Sequence, residues 1–116
     1  MGAKTGSRMY IASTYVQNAT SLETLELFNH AAELRVGAAK MLLRLHREEA
    51  VEQLHAAAHS FKRASVKIKR RSGPREITTM QDERAKRCTE LALNPDERRI
   101  AELQRELQVA NAGLRI

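Results

Sequence analysis

No proline interrupts this chain before Pro74, and only Pro95 follows it. Proline inside a helix removes a hydrogen bond and clashes with the preceding turn, so its absence leaves long stretches free to be helical. Across those stretches apolar residues recur at three- and four-residue steps. Leu25, Phe28, Ala32, Val36, Ala39 and Leu43 form one such series; Val51, Leu54, Ala58, Phe61 and Ile68, with Ser65 on the same stripe, form a second. That spacing marks one face of a helix, not the two-residue alternation of a strand. Composition points the same way. Hydrophobic residues make up 42% of the chain but aromatics only 3%. The apolar content is spent on Ala and Leu, which favour helix, whereas sheets lean on aromatic and β-branched residues. An all-α chain is expected, with room for one core in its 116 residues.

Local signals divide the helices. Residues 1–8 are polar and glycine-containing and read as a flexible N-terminus, and Met9 to Gln17 reads as a short helix lidding the remainder. Thr20 and Glu23 have capping-box spacing, which predicts a long helix from about Ser21 to about Leu45. The second series follows after a hairpin near Arg47 to Glu49. One rod of about 50 residues would be ~75 Å long with nothing to cover its stripe. Ser72-Gly73-Pro74 is the clearest break. Glu76 to Leu93 reads as the next helix, with Ile77, Met80, Ala85, Cys88 and Leu91 or Ala92 inward. Asn94-Pro95-Asp96-Glu97 predicts an Asn cap with proline at the first helical position. Ile100, Leu103, Leu107 and Ala110 carry the last helix, and Gly113 is its expected stop. The predicted fold is an antiparallel up-down four-helix bundle with a short N-terminal helix, one domain over residues 9–116.

Charge and cysteine usage narrow the setting. The net charge is +6, from 20 basic and 14 acidic residues, which favours acidic partners. Cys88 is the only cysteine. No internal disulfide can form, which fits a reducing compartment. No run approaches the ~18 apolar residues of a membrane span. A cytoplasmic protein without a membrane anchor, acting as a monomer, is expected.

The stretch that suggests chemistry is Leu54 to Ser65, LHAAAHSFKRAS. Each helical residue advances about 100°, so the stripe through Leu54, Ala58, Phe61 and Ser65 leaves His59 on the opposite, solvent side. Lys62 and Arg63 follow at three and four residues and share that surface. Imidazole is a nucleophile near neutral pH because much of it is uncharged. Flanking cations stabilise a phosphoryl group bonded to it. Phosphoryl transfer rests on positioning and charge neutralisation more than on a deep pocket.

Ala58-His59-Ser60-Phe61-Lys62-Arg63-Ala64-Ser65 resembles the signature of the histidine phosphotransfer (HPt) family of multistep two-component phosphorelays, approximately A-H-x-L-K-G-x-S. The segment from Leu25 to Ser60 is similar to that family's first long helix, hairpin and approach to the active helix. The final helical pair, from about Glu76 to Leu114, has the expected length. The resemblance implies a phosphoryl carrier, not an enzyme. His59 would exchange phosphate with the aspartates of response-regulator receiver domains, fed by a hybrid histidine kinase. Mg²⁺ would sit on the receiver, and the chain would need no cofactor of its own. Lys62, and with it Arg63, would offset the phosphate charge, and Ser65 would support the site. His55, Ala56, Lys67, Lys69 and Arg70 would contact the receiver or form a basic patch. The family's two glycines, four and about ten residues after the histidine, are Arg63 and Lys69 here.

Other readings compete. His55 and His59, or Glu52 with His55, have metal-ligand spacing, but no second Glu-x-x-His accompanies them, so no metal is expected. Seven basic residues and no acid lie between Lys62 and Arg75. Nucleic-acid binding is the sharper account of that run and a solvated helix end the blander one; no aromatic is interleaved for base stacking. Residues Ala19 to Leu43 also weakly resemble flagellar export chaperones, so a non-enzymatic adaptor or chaperone, or a degenerate phosphotransfer bundle, is a further class.

Overall fold

A computed structural model describes residues 2–113, which form five α-helices and no strand: α1 (Gly2–Thr24), α2 (Phe28–Leu42), α3 (Arg47–Arg70), α4 (Arg75–Leu93) and α5 (Glu97–Ala112). Met1 of the expected flexible lead and Leu114, the expected end of the last helical pair, lie outside the described residues.

The N-terminal third departs from expectation. α1 runs unbroken from Gly2 through Thr24, with no boundary at Met9 or at Thr20. The hydroxyls of Thr14, Thr20 and Thr24 donate back to carbonyls four residues earlier, 3.0–3.1 Å away, so Thr20 serves the helix interior and caps nothing. The true break is Leu25–Leu27. Glu26 adopts φ 60, and Leu27 N donates to Leu22 O (2.8 Å) while Glu26 N donates to Glu23 O (3.0 Å). This is a Schellman stop built on a residue with a side chain, where glycine is usual. The end of α3 repeats the device: Ser72 has φ 54, Gly73 N donates to Ile68 O (2.9 Å) and Ser72 N to Lys69 O (3.0 Å).

The later boundaries follow the sequence signals closely. The α2–α3 join falls at Leu43–His46, just ahead of the expected hairpin, and α4 begins one residue before Glu76. The cap of α5 is Asp96, whose carboxylate accepts from Arg99 N at 3.0 Å; Asn94 instead closes α4.

α3 packs against both α2 and α4, α1 lies on α2, and α5 returns to α2. The core between them is filled by Val36, Leu54, Phe61, Cys88, Ile100, Leu103 and Leu107. Alanines line α2 at Ala31, Ala32, Ala38 and Ala39, all buried. At Gly37 a Cβ would come within 3.0 Å of the Tyr15 ring, so the missing side chain lets α1 lie close. Two expected core positions on α4, Ile77 and Met80, are instead exposed at 39% each, while Thr78 and Gln81 turn inward. Leu25, expected inward, is 66% exposed in the α1–α2 turn. No described helix is long and apolar enough to cross a membrane.

Candidate functional site

The buried side of α3 consists of Ala50, Leu54, Ala57, Ala58, Ser60, Phe61, Ala64 and Ser65. Phe61 at 0% exposure and Ala58 at 5% fix the helix rotationally. A 100° step per residue then turns His59, Lys62 and Arg63 outward, and all three are exposed. His59 is therefore an accessible imidazole on a rigid helix, as the stripe predicts.

The surface around it is concave. His59, Lys62, Arg63, Val66, Lys67, Arg70 and Arg71 from α3 and the turn after it line a half-open groove of 560 Å³. Its opposite wall is Glu26 and Phe28, where α1 gives way to α2. The Arg63 guanidinium lies over the Phe28 ring, 4.5 Å from its centroid, a cation–π contact. Lys67 Nζ donates to the Glu26 carbonyl at 3.1 Å, joining the two walls. That second wall was hidden in the sequence because Ser21 to Leu45 reads as one helix.

Beneath His59 lies a polar cluster with no sequence signal of its own. Ser60 points inward and its hydroxyl donates to the Glu23 carboxylate. Glu23 also accepts from Arg35 Nε (2.8 Å) and Nη2 (2.6 Å), and Arg35 Nη1 donates to Gln53 Oε1 (2.9 Å). Only 16% of the Glu23 side chain and 11% of the Arg35 side chain are exposed. Burial pushes the Glu23 carboxyl up, but hydrogen bonds from Arg35 and Ser60, with the charges of Arg35 and Arg63, outweigh it and hold the group below the ordinary carboxylate range. One carboxylate thus ties α1 to α2 and to the turn of α3 that carries His59.

The remaining expected site residues scatter. His55 is exposed one turn before His59 and Ala56 is half-buried; neither lines the groove. Ser65 is 1% exposed and faces the interior, where its hydroxyl has no hydrogen-bond partner among the described residues. Lys69 points away from the groove, its Nζ 3.7 Å from Asp82 on α4. Arg70 joins the groove, together with Arg71 and Val66. Among the described residues no three His, Cys, Asp or Glu side chains gather as a metal-binding group.

The arrangement offers one nucleophilic ring at the end of a cationic trough, suited to meeting an anion. No family model, no curated protein and no solved structure matches the chain.

Proposed function

We propose that this chain is a phosphorelay intermediate that carries a phosphoryl group on His59, within an antiparallel bundle formed by α2–α5. The observation that carries the reading is the exposed His59 ring beside Lys62 and Arg63 at the end of a groove walled by cations. In the transfer step a lone pair of the neutral His59 ring forms the N–P bond. The bond from phosphorus to the aspartyl oxygen of a receiver domain breaks, and the departing carboxylate keeps its electron pair. Lys62 stands one turn along the helix on the same exposed surface, placed to offset the charge spread over the equatorial oxygens of the group in transit. The basic run of α3 complements the acidic rim expected of a receiver.

Incubation with a receiver phosphorylated on its aspartate tests the reading. The chain should acquire an acid-labile phosphate that His59→Gln abolishes, while the variant keeps its fold and its affinity for the receiver. Label that persists in His59→Gln, or none in the native chain, removes the assignment. A helical-bundle adaptor would bind a partner without acquiring label.

A further inference from the structure

The outward face of α1 carries no charge. From Met9 to Leu22 the sequence holds no Asp, Glu, Lys, Arg or His, although 29% of the chain is charged, and no other stretch runs so far without one. A solvated helix face normally carries such residues. Among residues 6–24 only Ala12 and Ala19 are buried, and they mark the side that rests on α2. At about 100° per residue the opposite side is the row Tyr10, Thr14, Gln17, Ser21 and Thr24. Tyr10 is 74% exposed, and Leu25, in the turn that follows, is 66% exposed. The hydroxyls of the row do not reach outward. Thr14, Ser21 and Thr24 each donate to the carbonyl four residues back, at 3.0–3.3 Å. They need no new hydrogen bond from a surface that covers them. Absence of charge beside exposed aromatic and aliphatic side chains is the composition of an interface core.

The two ends of this face indicate what covers it. Arg8 precedes the uncharged run and Glu26 follows it, and both are exposed. They lie about 27 Å apart along the helix at 1.5 Å per residue. A second α1 laid antiparallel, about a two-fold axis at Gln17, brings Arg8 of each copy to Glu26 of the other. The same register sets Tyr10 against Leu25 of the other copy. Between these ends only uncharged side chains meet. A two-fold contact must be complementary to itself. Copies of a chain with net charge +6 repel one another, and an uncharged face is where they approach at least cost. A parallel pair would set Arg8 against Arg8. One helix-wide strip of this length falls short of the ~800 Å² per partner of a standard interface, so the pairing is weak.

We infer that the outward face of α1 is a self-association surface on which two copies of the chain pair antiparallel. The contact uses no residue of the phosphoryl-transfer step, so it stands or falls separately from the relay reading. Sedimentation equilibrium of the full chain, from about 10 μM to about 1 mM, is the test.

The mass should rise from one chain toward two across that range. Gln17→Glu and Gln17→Lys should each weaken pairing by about fivefold or more, because either charge meets its like across the axis. An equimolar mixture of the two variants should pair more tightly than either variant alone, opposite charges now facing each other. Tyr10→Ser should weaken pairing about tenfold. Val109→Ser, 73% exposed on α5, should leave it within about twofold of native. All three side chains are exposed, and circular dichroism will verify the folds. The mass of one chain at every concentration would overturn the inference. So would association that one of the two Gln17 charges strengthens, because the face would then meet an unlike surface. Pairing that Tyr10→Ser and both charges leave untouched, or a mixture that recovers nothing, would place the contact elsewhere and overturn it too.

Discussion

Arg63 occupies the position where the motif it resembles has glycine, and its side chain has a use of its own. The guanidinium covers the Phe28 ring at 4.5 Å, screening from water the one aromatic at the start of α2. A cation so engaged is turned toward α2, which leaves the His59 ring open beside it. Arg63→Gly should therefore preserve or speed phosphoryl transfer while lowering stability by about 1–2 kcal/mol. Roughly 1 of this comes from glycine in a helix and the rest from the lost cation–π contact. Arg63→Ala separates the two terms, because it removes the contact but keeps helix propensity. Urea unfolding checks the stability and timed transfer from a receiver checks the chemistry. A transfer loss beyond about tenfold would mean that the guanidinium reaches the phosphate. At this scale the sequence was legible where helical angle alone decided: the stripe through Leu54, Ala58 and Phe61 placed His59 outside. The pairing of Arg63 with Phe28 was not legible, because it depends on how two helices meet across a turn.

Helix α1 illustrates what separates readable elements from unreadable ones. The break at Ser72-Gly73-Pro74 and the start at Asp96 are written in residues with special backbone or capping chemistry. The break after Thr24 carries no such residue. Glu26 takes the left-handed conformation a glycine would normally take, at a local cost of about 1 kcal/mol that tertiary contacts offset. Glu23 misled for the same reason: its spacing from Thr20 mimics a capping box, yet its carboxylate is committed to Arg35 and Ser60. On α4 the error was one of phase. Counting back from Cys88 and Ala85 by four and three reaches Gln81 and Thr78, not Met80 and Ile77, and the polar pair is what lies inside. The Glu23 cluster makes a pH prediction. A carboxylate held below its unfolded value stabilises the fold above that value, near pH 4.3, and loses the contribution as pH falls through the lower folded value. The urea midpoint of the native chain should thus owe nothing to Glu23 titration above about pH 5 and should drop below about pH 4.5. Glu23→Gln should be less stable at pH 7 by about 2–3 kcal/mol, since it leaves Arg35 without its countercharge. Its deficit should shrink as the pH is lowered; a deficit constant from pH 7 to pH 3 would refute the coupling.

The way the helices share contacts determines how the whole molecule should come apart. α1 rests on α2, whereas α4 packs on α3 at the other side of the core. Cys88 belongs to the central cluster with Leu54, Phe61, Ile100 and Leu103, and none of its surface is exposed. Burial pushes its thiol up to about 12, against a smaller opposing effect of Arg87. Reaction with a thiol reagent at pH 8 therefore requires the core to open, both to admit the reagent and to release the thiolate. The native chain should label slower than its urea-unfolded form by about a thousandfold or more, with a rate that climbs with urea as steeply as global unfolding does. Glu23→Gln provides the contrast. If the Glu23–Arg35 pair holds α1 in place, that variant should expose α1 amides to rapid hydrogen exchange. Cys88 should meanwhile stay protected to the extent that the variant's global stability allows, because α1 does not cover α4. Labelling of Cys88 that accelerates in step with α1 exchange would show that the five helices open together and that the first is no separable lid.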